Sequence, residues 1–203
     1  MYLLLKIIFD YIFSLILLII LIPLFLFISI ILIIEFGRNI FFFQERQGYK
    51  GKIFNIIKFK TMNDATDQAG NLKSDKERIT KIGKLLRKYS IDELPTLFNI
   101  LLGQMSFVGP RPVLAEYDKF YTQDQRKRFL VKPGITGWAQ VNGRNKISWE
   151  EKFNLDIWYI RNRGFLLDLK IIFMTIMKIF RNKDVDFDES VVDIKFQGSD
   201  EDN

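Results

Sequence analysis

Residues 11–34 read YIFSLILLIILIPLFLFISIILII, a run of 24 positions without a charged side chain between Asp10 and Glu35. An α-helix of this length reaches ~36 Å at ~1.5 Å per residue, which exceeds a hydrocarbon core of about 30 Å. The run is too long for the apolar part of a signal peptide, and no small-residue cleavage site follows it. The sequence therefore predicts a membrane helix.

Pro23 lies near the middle of this run. Proline removes one helical hydrogen bond and clashes with the carbonyl four residues earlier, so it kinks or breaks a helix. Each half, at about 12 residues, would reach only roughly 18 Å and could not cross the hydrocarbon core. Bases flank both ends, with Lys6 before the run and Arg38 and Arg46 after it, so flanking charge selects no orientation. From these residues alone, a kinked spanning helix and a re-entrant hairpin both stay open.

The composition restricts the chemistry. The chain has 203 residues and contains neither cysteine nor histidine, which excludes thiol nucleophiles, disulfides, imidazole bases and the usual zinc sites. Residues 184–203 carry eight acids and one base, or −7, so residues 1–183 carry 29 bases and 16 acids, or +13. A body this basic favours anionic partners, such as phospholipid headgroups, nucleotide phosphates or nucleic acid.

Beyond the anchor, the pattern predicts an α+β fold that is mainly helical. Two apolar segments, Ile40–Phe43 and Ile53–Phe59, flank a turn region with Gly48 and Gly51, as in a β-hairpin. Helices are predicted at Ile79–Tyr89, Ser90–Leu102, Ala115–Val131, Trp149–Arg161 and Leu166–Phe180, with loops at 63–78, 107–113 and 132–145.

The last predicted helix, Leu166–Phe180, is amphipathic. Its polar stripe is narrow and consists of Asp168, Thr175 and Lys178, so its apolar face is wide. Such a helix either packs in the core or lies in the membrane interface.

Asp92 and Glu93 are adjacent acids at a predicted helix start. One interpretation is structural, because Ser90-x-x-Glu93 fits a capping box and acids in a first turn favour the helix dipole. The other is chemical, because the preceding helix brings a cluster of bases to the same place. Phosphoryl chemistry needs a carboxylate to attack phosphorus or hold Mg²⁺, and it needs cations to take up oxyanion charge.

Several basic and glycine positions support the chemical interpretation. Arg111 lies between two prolines in Gly109-Pro-Arg-Pro112, which fix its backbone before any ligand arrives. Lys58 and Lys60 alternate along a predicted strand and therefore share one face. The glycine turns at 134–137 and at 143 would permit close approach of the backbone to a ligand.

Three ordered segments resemble the monotopic phosphoglycosyl transferases, the bacterial sugar transferases: IIKFKTM (56–62), SIDELPTLFNILLGQMSFVGPRP (90–112) and KPGITGWAQVNGRN (132–145). The resemblance covers nearly the whole chain. In its small size the chain resembles the minimal, single-domain members that initiate N-linked glycans or capsules. The resemblance implies a re-entrant membrane helix that is broken at Pro23. The family often has serine before this proline, whereas this chain has Ile22. It also implies a location in the bacterial inner membrane, with the site on the cytoplasmic face.

The resemblance further implies a covalent mechanism. Asp92 would attack the sugar-bearing phosphorus of a UDP-sugar, UMP would leave, and polyprenyl (undecaprenyl) phosphate would take the phosphosugar. Mg²⁺ would bind at Asp92 and the diphosphate, with Glu93 assisting. The expected phosphate- or nucleotide-binding residues are Arg111, Arg87, Arg144, Lys58 and Lys60. The sequence does not identify the donor sugar, and the resemblance to the minimal members favours an N-acetylated amino sugar. Downstream glycosyltransferases, but no nucleic acid, are the expected macromolecular partners.

The predicted organisation is thus an anchor at 1–38, a catalytic domain at 39–183 and an acidic, flexible tail at 184–203. Two competing functions remain at this point. A membrane-tethered module could hold anions with its bases while the acids only cap a helix, and a lipid-phosphate hydrolase could use the same carboxylate with water as acceptor.

Overall fold

A single apolar helix, α1, opens the structure. The computed structural model describes residues 1–143, 147–181, 196 and 198, and α1 runs over Tyr2–Phe36. It therefore extends beyond the uncharged run at both ends. The backbone stays helical through Pro23, although proline lacks the N–H that would bond the Ile19 carbonyl. The two halves expected from the sequence are joined in one helical segment.

Helix α1 contacts the rest of the protein along its whole length. Near its start, Lys6 pairs with Asp168 at 2.7 Å. In its middle, Leu17, Leu18 and Leu21 pack against a core of Phe54, Ile56, Leu97, Ile100 and Met105. Near its end, Ile28 and Leu32 are buried with Phe59 and Leu86. Both ends of the apolar helix thus lie against the same body.

The predicted hairpin is confirmed, and it gains a third strand. Strands β1 (Phe41–Gln47) and β2 (Ile53–Phe59) pair antiparallel, joined through a 3₁₀ turn at Tyr49–Gly51. Short helices α2 (Asp75–Arg78), α3 (Lys81–Lys88) and α4 (Thr96–Leu101) follow, and then strands β3 (Ser106–Val108) and β4 (Val113–Leu114). Strand β4 pairs with β1 to give the order β2-β1-β4.

Two predicted elements are corrected after β4. The segment 115–131, expected to be one helix, forms two 3₁₀ helices at Ala115–Phe120 and Gln125–Leu130. Its Tyr117, Tyr121 and Phe129 all turn into one aromatic cluster, with Tyr117 and Phe129 on different 3₁₀ helices and Tyr121 in the link between them. The expected loop at 132–145 contains strand β5 (Gly134–Thr136), parallel to β3, and helix α5 (Trp138–Asn142).

The last two helices are confirmed as α6 (Trp149–Asn162) and α7 (Phe165–Arg181). The polar stripe of α7 faces inward. Asp168 is buried and accepts hydrogen bonds from Lys6, Tyr2 and Tyr159, and Thr175 contacts Thr136. The outward face carries exposed apolar side chains, namely Phe165, Leu166, Leu169, Phe173 and Ile176. An outward apolar face matches the membrane-interface alternative for this helix.

The predicted acidic tail lies outside the described residues, apart from Phe196 and Gly198. Phe196 is 3% exposed and belongs to a cluster with Val113, Tyr117, Tyr121, Phe129 and Phe153. Its ring stacks on Tyr121 with centroids 5.4 Å apart. This residue therefore packs on the body beside the two 3₁₀ helices.

Candidate active site

Asp92 and Glu93 lie in a short 3₁₀ turn, Ile91–Glu93, between α3 and α4. The expected capping box does not form, because Ser90 adopts a left-handed conformation (φ 55°) and caps nothing with its side chain. A positive φ turns the chain sharply between the two helices. The structural interpretation of Glu93 is therefore wrong in this form, and its carboxylate points to other partners.

Glu93 is held by two cations. Its Oε1 accepts from Lys58 Nζ at 2.6 Å and from Arg111 Nη2 at 3.0 Å. Burial alone would raise its pKa, but Arg111 and Lys58 together hold the pKa of Glu93 well below the usual range. The Glu93 carboxylate is therefore a permanent anion that fixes both cations at the site.

Asp92 has the opposite environment. It is 7% exposed, and within the described part of the chain its carboxylate forms no ion pair. Burial, followed by the adjacent charge of Glu93, raises the pKa of Asp92, against the opposing charges of Lys58, Arg87 and Arg111. A desolvated carboxylate with no committed partner, close to three cations, is suited to nucleophilic attack on an anionic phosphorus centre.

Two tertiary hydrogen-bond systems fix this arrangement. Asn99, fully buried on α4, accepts from Ile57 N–H at 3.0 Å and donates to the Asn55 carbonyl at 2.8 Å. These bonds lock α4 onto β2, so Lys58 faces Glu93. On the other side, Arg87 Nε donates to Thr61 Oγ1 at 2.9 Å, which directs the end of α3 towards the site.

The Gly109–Pro112 loop is the third element at the site, after β2 and α3, and it contributes Arg111. The loop packs backbone against backbone on the β5 segment, because a Cβ at Gly134 would lie 2.1 Å from the Gly109 nitrogen. A Cβ at Gly137 would likewise lie 2.1 Å from the Gly109 carbonyl oxygen. The sequence analysis suggested Gly134 and Gly137 for close approach to a ligand. In the structure they allow close packing between two backbone segments of the same chain.

The predicted binding residues divide into three groups. Lys58, Arg87 and Arg111 gather around Asp92 and Glu93. Lys60 does not, since it pairs with the exposed Asp64 at 2.5 Å, beyond the end of β2. Arg144 lies outside the described residues. The cleft beside Glu93 is also lined by Arg46, Thr96, Met105 and Ile135.

Among the described residues, no group of three or more acidic side chains is placed to hold a metal ion. The Asp92 carboxylate nevertheless fits a hard cation, because it is buried, oxygen-donating and without an ion-pair partner in the described chain. Mg²⁺ usually binds through one or two carboxylates and completes its octahedron with water and substrate phosphates. The donor set is therefore compatible with Mg²⁺ that arrives with a diphosphate.

Sequence reasoning missed the residues that support the site from behind. Asn99 had a visible signal, as a lone amide inside the apolar segment LFNILL. Arg128 and Asp156 had none. They form an ion pair at 2.8 Å, each side chain 4% exposed, although 28 positions separate them in the chain.

The fold and the site together define a class: a protein with one long apolar helix, which is a candidate membrane helix, and a site in which Asp92 and Glu93 lie beside Lys58, Arg87 and Arg111. Residues 1–182 match the family of bacterial sugar transferases, and the chain belongs to that family. A sugar transferase of Bacillus subtilis (strain 168), the uncharacterized EpsL, is 51% identical over 166 residues, covering 82% of each chain. ExoY, an exopolysaccharide production protein of Sinorhizobium fredii (strain NBRC 101917 / NGR234), is 36% identical and is also covered to 82%.

A third relative is named for its reaction. The UDP-glucose:undecaprenyl-phosphate glucose-1-phosphate transferase of Klebsiella pneumoniae is 40% identical over 184 residues, which are 86% of this chain. The chain spans 40% of that protein's length. The similarity is therefore limited to a part of the Klebsiella enzyme.

Proposed function

We propose that the protein transfers a phosphosugar from a UDP-sugar to polyprenyl phosphate and releases UMP. The observation that carries the proposal is the unequal treatment of two adjacent carboxylates. Glu93 is neutralised by Lys58 and Arg111, while Asp92 is desolvated and uncommitted beside the same cations. The names of relatives, such as the Klebsiella transferase, supply the substrate classes.

The reaction has two displacements at one phosphorus atom. An Asp92 carboxylate oxygen attacks the sugar-bearing phosphorus, and the bond from that phosphorus to the bridging oxygen breaks, so UMP leaves with the electron pair. A phosphate oxygen of the polyprenyl phosphate then attacks the same phosphorus, and the Asp92 acyl phosphate bond breaks. The products are UMP, a polyprenyl diphosphate sugar and the restored carboxylate. Lys58, Arg87 and Arg111 hold the phosphate oxygens in place during both steps.

When bound at Asp92 and the diphosphate, Mg²⁺ would neutralise phosphate charge. The protein's own task is to keep Asp92 ionised and aimed. Burial and the charge of Glu93 raise the Asp92 pKa, and the charges of Lys58, Arg87 and Arg111 oppose that rise and so favour the ionised carboxylate. Arg111, 55% exposed at its side chain, remains accessible to an incoming phosphate.

A two-part assay tests the proposal. The full-length protein in nanodiscs is incubated with a panel of UDP-sugars, including UDP-glucose and N-acetylated amino sugars, with and without undecaprenyl phosphate. We expect UMP release that depends on the lipid and, without lipid, a mass increase of one phosphosugar on the peptide that contains Asp92. Release of inorganic phosphate from undecaprenyl phosphate without UMP would indicate a lipid-phosphate hydrolase, and binding without any product would indicate an anion-binding module. The preferred sugar stays a prediction until this panel is run.

We also propose that α1 re-enters the bilayer, so that the site faces the cytoplasm at the bacterial inner membrane. The support is that both ends of α1 contact one body, at Asp168 and at Phe59. A spanning helix would place these contacts on opposite sides of the membrane. Because the chain lacks cysteine, single cysteines at the exposed positions Leu4 and Ala69 report each end. Both should resist an impermeant thiol reagent in intact cells and react after permeabilisation. Labelling of Leu4→Cys in intact cells would refute re-entry.

A further inference from the structure

The Arg111 loop is held partly by backbone hydrogen bonds, as a strand would be, and partly by two arginine side chains. Prolines 110 and 112 have no N–H to donate, and the loop carbonyls find partners elsewhere. The Pro110 carbonyl accepts from Gly134 N–H at 2.9 Å. The Arg111 carbonyl accepts from Arg128 Nη2 at 2.9 Å, and the Pro112 carbonyl accepts from Arg46 Nη1 at 3.3 Å.

Arg128 is the more constrained of the two arginines. The nitrogen that donates to the Arg111 carbonyl also donates to Asp156 Oδ2 at 2.8 Å. The guanidinium lies over the Phe153 ring at 5.0 Å and near the rings of Tyr121 and Phe129, at 6.0 and 5.9 Å. A planar guanidinium fixed by a carboxylate and by ring faces has little rotational freedom.

We propose that Arg128, fixed by Asp156, is a positioning residue for Arg111. This inference rests on the proposed function, in which Arg111 contacts phosphate. A buried ion pair contributes little net stability compared with well-packed apolar residues, so stability alone gives a weak reason for this pair. A displacement of about 1 Å at a phosphate contact can reduce the rate about 10²-fold. The hydrogen bond from Arg128 to the Arg111 carbonyl connects the buried Arg128–Asp156 pair to the candidate site.

The test removes the pair without leaving a buried charge. In the double variant Arg128→Met/Asp156→Leu, apolar side chains replace both partners, and the fold should persist. We expect kcat/KM for the UDP-sugar to fall about 10-fold or more, through a higher KM. Arg128→Lys is measured in parallel, because lysine keeps a charge for Asp156 but lacks the planar fork and reaches less far. It should fold and show a smaller loss of the same kind.

A double-mutant cycle separates positioning from general damage. If Arg128 acts through Arg111, adding the pair replacement to Arg111→Lys should cause little further loss. The matched control is Arg126→Met, an exposed arginine in the same 3₁₀ helix that pairs with Asp118 at 2.8 Å; it should leave the kinetics unchanged. Wild-type kinetics in either folded variant, or losses that multiply fully with Arg111→Lys, would overturn the inference. A phosphosugar adduct that never forms in the wild type would instead refute the proposed function.

Discussion

Two arginine–carboxylate pairs that lie next to each other have similar geometry but very different surroundings. Arg111 and Glu93 are 3.0 Å apart with side chains 55% and 19% exposed, whereas Arg128 and Asp156 are 2.8 Å apart and each 4% exposed. The first pair shares its carboxylate with Lys58, and the second is enclosed by aromatic rings. One hydrogen bond, from Arg128 to the Arg111 carbonyl, joins them.

The two pairs differ in the balance of charge around them, and this balance decides whether a pair can attract a ligand. Around the open pair, Lys58, Arg87 and Arg111 face Asp92 and Glu93, so three cations meet two anions. The surplus positive charge is available to a phosphate. The enclosed pair has one cation and one anion, and burial raises the pKa of Asp156 to about 6 against the opposing charge of Arg128. It has no charge to offer a ligand.

The largest expected effect comes from replacing Asp92, the proposed nucleophile. Asp92→Asn should reduce lipid-dependent UMP release on the order of 10⁴-fold, because removal of a nucleophile leaves only binding contributions. The control is Asp64→Asn, which removes an exposed carboxylate paired with Lys60 and should leave the rate unchanged. Near-normal turnover of Asp92→Asn, measured by UMP release and adduct mass, would contradict the covalent mechanism.

Removal of divalent cations should act on the open region alone. EDTA should abolish UMP release and added Mg²⁺ should restore it, since charge neutralisation by a metal is worth several kcal/mol in such reactions. The melting temperature should change little, because the Arg128–Asp156 pair and the aromatic core beside it are held by contacts between protein groups. Full activity in EDTA would exclude the magnesium requirement.

The third effect is on stability and separates the two regions directly. Arg128→Met should lower the free energy of unfolding by about 3–5 kcal/mol, since it leaves Asp156 buried and unpaired. Arg111→Met should lower it by only about 0–1 kcal/mol, as expected for a pair with an exposed partner. Chemical denaturation in detergent measures both. Equal losses would show that the two pairs do not differ as their burial indicates.

A conservative change at Arg111 should affect activity without affecting the fold. Arg111→Lys keeps the charge but loses the planar fork that grips two phosphate oxygens. We expect an activity loss of about 10-fold, equivalent to ~1.4 kcal/mol, with an unchanged melting temperature. A large fall in melting temperature would indicate that the side chain of Arg111 supports the fold.

The smallest effect contrasts the two adjacent acids. The pKa of Asp92 is raised, so its favourable contribution to stability is present below about pH 3.9 and is lost as the pH rises through the folded value. Asp92→Asn should therefore raise the melting temperature at pH 7. The pKa of Glu93 is lowered, so its contribution is present above about pH 4.3 and is lost towards acid. Glu93→Gln should lower the melting temperature at pH 7. Shifts of the same sign would contradict the assigned environments.

Strong local patterns predicted most of the fold. The apolar segments of the hairpin and the amphipathic repeat of α7 specify their elements within a few residues, whereas α1 begins nine residues before the uncharged run that predicted it. The helix expected at 115–131 failed because Tyr117, Tyr121 and Phe129 are turned by tertiary packing into one cluster. The strand β5 was missed because its pairing with β3 depends on glycine contacts between distant segments.

The candidate site was predictable where residue type and local motif coincide. Asp92, Glu93 and Arg111 stand in one segment, residues 90–112, that the sequence analysis singled out. The structure brings them together with Lys58 and Arg87. Lys60 lies one step beyond the end of β2 and turns to Asp64 instead. The Arg128–Asp156 pair joins a 3₁₀ helix to α6, and no spacing in the sequence indicates such a contact.

The burial of Ile28 and Leu32 has a practical consequence for handling the protein. Leu32 is fully buried and Ile28 is 4% exposed, both against Phe59 and Leu86. Each buried aliphatic side chain stabilises a fold by roughly 1.5–3 kcal/mol. A fragment that lacks α1 would lose the contributions of Ile28 and Leu32, and it would expose Phe59 and Leu86 to water. Truncation is therefore a poor route to a water-soluble form. Exchange of α1 for an unrelated membrane segment should also fail unless these contacts are copied, which means that anchor and enzyme must change together during evolution.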